Sequence, residues 1–209
     1  MNLYERYETL VTAKESIENA KNAIIKSFEA GGKLLLCGNG GSSADCDHIV
    51  GELMKGFLSK RSLTDAQKRS MIKNAGYIDK KWLDQLQCGL PAVSLTAQSA
   101  LNTAFCNDVN PELVYAQQLM GLGKKEDVVF CISTSGNSKN VCAAATVGKA
   151  LGITVIGLTG NGGGKLKEIA DICICVPETE TYKVQELHLP VYHYLCAETE
   201  KHFFDNLPD

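Results

Sequence analysis

The stretch that decides the fold is DVVFCISTSGNSKNVCAAATVGKALGITVIGL, residues 127–158. It contains two apolar runs, 127–132 and 153–158, with a helix-like segment at 138–151 between them. Further apolar runs occur at 33–37, 91–95 and 171–176, and further helix-like segments at 42–57, about 110–120, 164–169 and about 180–204. Strands that are apolar throughout and alternate with helices are typical of a parallel sheet covered on both faces. The sequence therefore predicts an α/β three-layer sandwich, with a five-stranded parallel sheet flanked by helices.

Length and composition set the bounds for this fold. The 209 residues, 44% hydrophobic and 22% charged, suit one domain over 1–209. A net charge of −3 argues against nucleic acid as a partner. No apolar run approaches the roughly 20 residues of a membrane span, and the N-terminus lacks the apolar core of a signal peptide. We expect no membrane partner and a cytoplasmic location, where the nine scattered cysteines, which form no CxxC pair, stay reduced.

Two segments depart from the simple alternation of strands and helices. Apolar residues at helical spacing predict a long N-terminal helix over about 3–31, which Gly31 and Gly32 would end. Residues 59–87 carry seven Lys and Arg against three Asp, together with the only tryptophan, Trp82. They predict two short amphipathic helices inserted before the second strand. A lid or a contact between subunits is the simpler interpretation, and recruitment of an acidic partner is the alternative.

Ligands of parallel α/β sheets bind beyond the carboxyl ends of the strands, and two of these ends are unusual here. After the first strand, Gly38, Gly40 and Gly41 allow backbone amides to approach a ligand closely. After the third strand, four hydroxyls and the N–H groups of the next helix form a cradle that suits a phosphate. These hydroxyls belong to Ser133, Thr134, Ser135 and Ser138. A Ser/Thr-rich turn with an N-cap is the alternative, although a cap needs only one hydroxyl.

Two pairs of polar side chains are candidates for chemistry. His48 and Glu52 are four residues apart, so on a helix they share one face. Gln185 and His193 are eight apart on the predicted last helix, which Pro190 is expected to kink. The four side chains suit a divalent metal such as zinc or iron. Glu52 and His193 equally suit an acid/base pair that moves a proton. A solvated His/Glu pair on a helix surface is the simplest alternative.

Four blocks of the chain, in order, resemble the sugar isomerase (SIS) domain family. They are LLLCGNGGSSADCDHIVGEL (34–53), FCND (105–108), CISTSGNSKNV (131–141) and VQELHLPVYH (184–193). Within that family they look most like the phosphoheptose isomerases, which interconvert sedoheptulose 7-phosphate and D-glycero-D-manno-heptose 7-phosphate. The resemblance implies the SIS fold, an aldose–ketose isomerase acting on a sugar phosphate, one zinc ion per site, and a homotetramer whose active sites lie at subunit contacts.

The resemblance also implies a role for individual residues. Catalysis falls on Glu52 and His193, with Asp45 as a helper. The implied zinc ligands are His48, Glu52, Gln185 and His193. The implied substrate-binding residues are Asn39, Gly40, Gly41, Glu52, Asn107, Asp108, Ser133, Thr134, Ser135, Ser138 and Gln185, where Asn107 and Asp108 match a second substrate loop.

Three functions compete at this stage. Besides the heptose isomerase, a non-catalytic phosphosugar-binding SIS regulator or DnaA-associated adaptor has the same fold. An isomerase of another phosphosugar is the third, since segment 59–87 is long for a heptose isomerase and Ala97 stands where an aspartate is common. The joint presence of His48, Glu52, Gln185 and His193 favours catalysis over the adaptor.

Overall fold

Five parallel strands form the centre of the molecule. The computed structural model describes residues 2–205, and within them the strands are Leu34–Cys37 (β1), Ala92–Ser94 (β2), Val128–Ile132 (β3), Thr154–Thr159 (β4) and Ile172–Cys175 (β5). They lie in the order β2-β1-β3-β4-β5, and each neighbouring pair is parallel. The prediction of a five-stranded parallel sheet is confirmed.

Helices cover both faces of this sheet. They are Leu3–Arg6 (α1), Lys14–Glu29 (α2), Gly41–Met54 (α3), Asp65–Ala75 (α4), Lys80–Gln85 (α5), Ser99–Asp108 (α6), Val114–Leu122 (α7), Lys139–Ala150 (α8), Gly164–Ile169 (α9) and Thr181–Phe204 (α10). Alternate strand residues point to opposite faces, so Leu34 and Leu36 pack with α2, α3 and α10. Leu35 and Val129 pack with α7, α8 and α9 on the other face. The three layers expected from the sequence are therefore present.

The carboxyl ends of the central strands meet at one edge of the sheet. Cys37 of β1 is in register with Cys131 of β3, and Ile132 is in register with Leu158 of β4. The segments that begin at 38, 133 and 160 consequently leave the sheet side by side. This edge brings the glycine turn after β1 next to the hydroxyl-rich segment after β3.

The predicted long N-terminal helix is wrong in one respect, because the structure divides it into three pieces. Tyr7, with φ −129° and ψ 74°, ends α1, and a 3₁₀ helix, Glu8–Ala13, precedes α2. The 3₁₀ segment ETLVTA contains three β-branched residues, Thr9, Val11 and Thr12, which fit a regular α-helix less well. The apolar spacing is still correct, since Leu3, Leu10 and Ile17 are all buried.

The inserted segment forms the two short helices that its sequence predicts, α4 and α5. Thr64 and Gln67 make a capping box at the start of α4. An antiparallel bridge between Ser62 and Gln87 closes the base of the segment. Sequence reasoning missed α6, which lies between β2 and α7. Among the helices of residues 2–205, none combines the length and apolar character needed to cross a bilayer.

Candidate active site

The glycine turn after β1 is held between two helices. Gly40 has φ +55°, a conformation that favours glycine. On one side the Gln185 side chain of α10 packs against Gly41, with its Nε2 2.4 Å from the place that a Cβ would occupy. On the other side, the amides of Asn39 and Asn140 exchange two hydrogen bonds of 2.9 Å. The turn therefore presents its backbone at the strand edge, between α8 and α10.

The hydroxyl loop, residues 133–138, connects β3 to α8. Ser133 is buried and its Oγ lies 3.0 Å from Oγ of Ser138, while Ser135 is exposed. Ser138 occupies the N-cap position of α8, but its side chain makes no capping hydrogen bond. The simple N-cap interpretation of these hydroxyls is therefore inadequate. An anion at this place would meet hydroxyls and the positive end of a twelve-residue helix.

A second glycine-rich segment supports the hydroxyl loop from beneath. Gly136 has φ +65°, and a Cβ there would lie 2.0 Å from the carbonyl oxygen of Gly163. The Leu166 N–H donates to the Gly136 carbonyl at 2.9 Å, and the Lys165 N–H donates to Oδ1 of Asn137 at 3.1 Å. The segment after β4 thus fixes the backbone of the hydroxyl loop without closing its hydroxyl-bearing side.

Side chains of α3 and α10 form a second group, the acid–base cluster: Asp45, His48, Glu52, Tyr192 and His193. Nε2 of His48 lies 3.2 Å from Oε1 of Glu52, and its Nδ1 lies 2.9 Å from the Tyr192 hydroxyl. The rings of His48 and His193 meet edge to face at 5.0 Å. The side chain of His48 is 43% exposed and that of Glu52 only 13% exposed. The expected shared face of His48 and Glu52 is confirmed, and His193 joins them.

The Tyr192 hydroxyl connects two members of this cluster. It lies 3.3 Å from Oδ1 of Asp45 and 2.9 Å from Nδ1 of His48, where the donor depends on the tautomer of the imidazole. The contact directs Nε2 of His48 towards Glu52. An imidazole and a carboxylate, side chains that commonly transfer protons in active sites, therefore lie side by side.

Burial adjusts the ionisation of the neighbouring groups. Burial lowers the pKa of His193, the nearby His48 adds to this decrease, and Glu52 partly offsets it. Burial also raises the pKa of Asp45, against the opposing effects of Tyr192 and His48. Nε2 of His193 is buried and has no hydrogen-bond partner within residues 2–205. A neutral imidazole with a free nitrogen faces the cluster, ready to accept a proton or a further ligand.

The other predicted site residues lie apart from the acid–base cluster. Gln185 contacts the glycine turn at Gly41, and eight residues of helix place it about 12 Å along α10 from His193. Asn107 and Asp108 lie at the end of α6, not on the loop that the resemblance implied. Their exposed side chains bond to each other at 2.8 Å.

The fit of a zinc ion can be judged from the donor atoms. Two imidazoles, a carboxylate and an amide are suitable ligand types, and the unpartnered Nε2 of His193 is available to bind. Within residues 2–205, no group of three or more His, Cys, Asp or Glu side chains is already arranged around a metal position. The donor chemistry therefore fits zinc, and one chain does not by itself bring Gln185 to the cluster.

Sequence reasoning missed three residues that organise the site. Tyr192 links Asp45 to His48, and it is 1% exposed. Asn140 holds Asn39, and the Tyr115 hydroxyl donates to the Gly38 carbonyl at 2.7 Å. The only sequence signal for Tyr192 is its position beside His193. Which tyrosine turns towards α3 depends on the packing of α10, and the spacing alone does not indicate it.

Fold and site together define a class: α/β proteins with a parallel sheet, a hydroxyl-rich loop at its carboxyl edge and a His/Glu cluster between two of the flanking helices. The chain belongs to the SIS domain family, which matches residues 2–78 and 85–160. The match leaves out residues 79–84, inside the inserted segment around α5, and it ends at residue 160, before α10. A phosphoheptose isomerase of Roseiflexus sp. (strain RS-1) is 36% identical over 94% of this chain and 87% of its own length. One of Burkholderia pseudomallei (strain 1710b) is 38% identical, over 90% and 83%.

Solved structures agree with the sequence relatives. The phosphoheptose isomerase of Neisseria gonorrhoeae superposes with a TM-score of 0.70 at 29% identity, covering 93% of this chain and 96% of the other. That of Francisella tularensis gives 0.71 at 27% identity, covering 96% and 97%. The match extends over nearly the whole of both chains, and the SIS family model also matches residues 59–78 and 85–87, so most of the inserted segment belongs to the shared domain.

Proposed function

We propose that the chain is an aldose–ketose isomerase of a sugar phosphate that interconverts sedoheptulose 7-phosphate and D-glycero-D-manno-heptose 7-phosphate. The observation that carries the proposal is the acid–base cluster, in which His48, Glu52 and His193 meet, in a chain that also has a loop suited to phosphate. The relatives named phosphoheptose isomerase match over 94% of the chain and supply the identity of the sugar.

Binding begins at the hydroxyl loop. The substrate phosphate accepts hydrogen bonds from the hydroxyls of Ser133, Thr134, Ser135 and Ser138 and from the first N–H groups of α8. This end of the sugar takes no part in the reaction, so its binding serves to orient C1 and C2. Asn39 and the glycine turn lie between the loop and α10, where they contact the middle of the sugar chain.

Proton transfer takes place at the acid–base cluster. Glu52 removes a proton from the carbon next to the carbonyl and returns it to the neighbouring carbon. His193, which burial keeps neutral, moves a second proton between the two oxygens. Asp45 acts through Tyr192, whose hydroxyl contacts both side chains and holds the His48 ring with Nε2 towards Glu52. The enediolate that forms in between requires hydrogen bonds or positive charge for its stabilisation.

We propose zinc as the source of that positive charge, held by His48, Glu52, Gln185 and His193. Held by these residues, zinc would supply a Lewis acid for the carbonyl oxygen and positive charge for the enediolate. The ligand types and the unpartnered imidazole of His193 support this assignment. Gln185 contributes through a rearrangement of α10 or from a second copy of the chain.

We further propose a cytoplasmic homotetramer with active sites at subunit contacts. A site shared between copies would bring the separated Gln185, Asn107 and Asp108 to a neighbouring cluster. Exposed apolar side chains on the α6–α7 side, among them Leu101, Val109 and Met120, supply surface for such contacts. The free thiols of the described cysteines suit a reducing compartment.

Isotope exchange in deuterated water tests the isomerase proposal. The purified chain is incubated with sedoheptulose 7-phosphate, with unphosphorylated sedoheptulose, and with fructose 6-phosphate. We expect deuterium at C1 and C2 of the heptose phosphate, and at least about tenfold slower exchange without the phosphate. A parallel sample with a chelator tests zinc, whose removal is expected to stop exchange.

Each outcome has a defined meaning. No exchange with any ketose phosphate would contradict the isomerase proposal and favour a phosphosugar-binding regulator. Faster exchange with fructose 6-phosphate than with the heptose phosphate would contradict only the identity of the sugar. If the protein keeps full activity after the chelator has demonstrably removed its metal, the proposal of a zinc ion is contradicted.

A further inference from the structure

A buried ion pair joins the two helices that carry the acid–base cluster. Glu200 lies on α10, seven residues or about 10 Å beyond His193, and seven residues are close to two full turns, so both share a face. Its carboxylate accepts the Nε–H of Arg61 at 2.6 Å, and both residues are only 2% exposed. Neither residue belongs to the set that the family resemblance implies.

Arg61 extends this pair to the end of α3. Its Nη1 donates to the carbonyl of Leu53 at 2.6 Å, and its Nη2 donates to the carbonyl of Glu52 at 3.0 Å. Both carbonyls belong to the last turn of α3, where no partner exists within the helix. The guanidinium thus caps the helix and places positive charge at its negative end.

The backbone around the pair is built to hold it. Arg61 has φ +49°, the only positive φ of a non-glycine residue within 2–205, which indicates a conformation imposed by its surroundings. The same Glu200 carboxylate accepts the N–H groups of Phe57, Leu58 and Ser59 at 2.8, 2.7 and 3.2 Å. One carboxylate therefore fixes the chain that leaves α3.

The electrostatics of the pair agree with this geometry. Burial alone would raise the pKa of Glu200, but the N–H groups of Phe57 and Leu58 and the Arg61 guanidinium outweigh it and hold the pKa below its ordinary value. The carboxylate is therefore ionised at neutral pH and accepts all four hydrogen bonds. Such a network has one preferred arrangement, since any displacement leaves buried charge unpaired.

We infer that Arg61 and Glu200 are positioning residues for the isomerase reaction, which fix the Glu52 carboxylate relative to His193 by joining the end of α3 to α10. The inference rests on the proposed function for its kinetic consequence but not for its geometry. Helix ends fray readily, and Glu52 lies in the last turn of α3, where a proton-transferring carboxylate needs support. The backbone carbonyl of Arg61 also accepts the Cys88 N–H at 2.8 Å. The two ends of the intervening residues, 63–86, therefore lie next to the ion pair.

Arg61→Lys and Glu200→Gln test the inference, with Lys68→Gln as the matched control. Lysine keeps the charge of Arg61 but cannot bond Glu200 and two carbonyls together. Lys68 forms an exposed pair with Asp84 inside the inserted segment, so its loss removes an ion pair without touching α3. Folding is checked by circular dichroism and thermal melting, and kinetics are reported per folded protein.

We expect kcat of Arg61→Lys and Glu200→Gln to fall by roughly 10- to 100-fold, as for a displaced catalytic group, with KM within about twofold because the hydroxyl loop is untouched. The ratio of deuterium exchange to net turnover should also change, a quantity that partial unfolding does not affect. Lys68→Gln should match the wild type in both.

Other results would overturn the inference. Folded Arg61→Lys and Glu200→Gln proteins with wild-type kcat and exchange ratio would do so, and failure of both variants to fold would indicate a purely structural pair.

If the wild type proves inactive on all ketose phosphates, the proposed function fails. The positioning inference is then tested by the NMR signals of the His48 and His193 imidazoles at fixed pH. Unchanged signals in Arg61→Lys would then reject positioning, and shifted signals would support it.

Discussion

The hydroxyl loop lies at the carboxyl edge of the sheet, whereas His48 and Glu52 lie in the second half of α3, whose last turn contacts Leu90 just before β2, and the two regions are built in different ways. The loop draws its hydroxyls from six consecutive residues, 133–138, and its shape depends on backbone contacts with Gly163. The cluster draws side chains from two helices whose residues 52 and 193 are 141 positions apart in the chain. The loop is formed by a local stretch of sequence, whereas the cluster exists only once the domain has packed.

This difference predicts a division of labour in the kinetics. Damage to the cluster should affect the rate of the chemical step, because its groups handle protons. Damage to the loop should affect binding, because its hydroxyls face the end of the substrate that does not react. A substitution in either region that alters the chemical step and substrate binding equally would contradict this division between cluster and loop.

The largest effect is expected from Glu52→Gln. Glutamine keeps the shape of the side chain but cannot accept a proton from carbon, so kcat should fall by about 10²- to 10⁴-fold with KM nearly unchanged. Steady-state kinetics with sedoheptulose 7-phosphate measure both quantities. The matched control is Glu29→Gln, which removes a carboxylate paired with His202 on the surface. Retained turnover in Glu52→Gln would exclude this residue as the proton carrier.

A second prediction concerns α10, whose packing brings His193 to the cluster. His188 is fully buried on this helix, and neither ring nitrogen has a hydrogen-bond partner within residues 2–205. Burial lowers the pKa of His188 to about 4, and the nearby Thr159 backbone only partly offsets the shift. The unfolded chain takes up a proton near pH 6.5 and the folded chain only near pH 4, so the unfolded state binds more protons between these values.

The free energy of unfolding should therefore decrease as the pH falls from 6.5 to 4, by about 3 kcal/mol from this residue. Urea unfolding of the wild type and of His188→Leu at a series of pH values measures the difference. The leucine variant should lose this part of the pH dependence. His202→Gln, which removes an exposed histidine, serves as the control and should keep it. An identical pH dependence in wild type and His188→Leu would contradict the assignment.

The hydroxyl loop could be predicted from the sequence, whereas the contacts within the acid–base cluster could not. The strands and the hydroxyl loop were predictable because apolar runs and clustered Ser and Thr are local signals. The i,i+4 spacing of His48 and Glu52 also gave their shared face. The partners of these residues could not be predicted in the same way. Tyr192 and Arg61 act across helices, and their contacts depend on how α3 and α10 pack.

In residues 3–31 the sequence predicted the buried side chains but not the exact secondary structure. Apolar spacing identified the buried side chains at 3–31, yet the break at Tyr7 was not predicted, because a 3₁₀ segment presents nearly the same spacing as an α-helix. Asn107 and Asp108 lie in a helix, so their assignment to a loop was wrong. A short motif such as FCND can indicate chemistry, but it does not by itself determine the secondary structure in which it lies.

The smallest effect is expected from Ser135→Ala, and it is the sharpest test of the division. Ser135 is exposed, and within residues 2–205 its Oγ accepts only the Asn137 N–H, at 3.2 Å, so folding should be little changed. Loss of one hydrogen bond to a phosphate should raise KM by roughly 5- to 20-fold, or about 1 to 2 kcal/mol, with kcat nearly constant. Thr146→Ala, which removes an exposed hydroxyl further along α8, should leave KM unchanged. If Ser135→Ala instead lowers kcat at constant KM, the loop takes part in the chemical step, and loop and cluster form one functional unit.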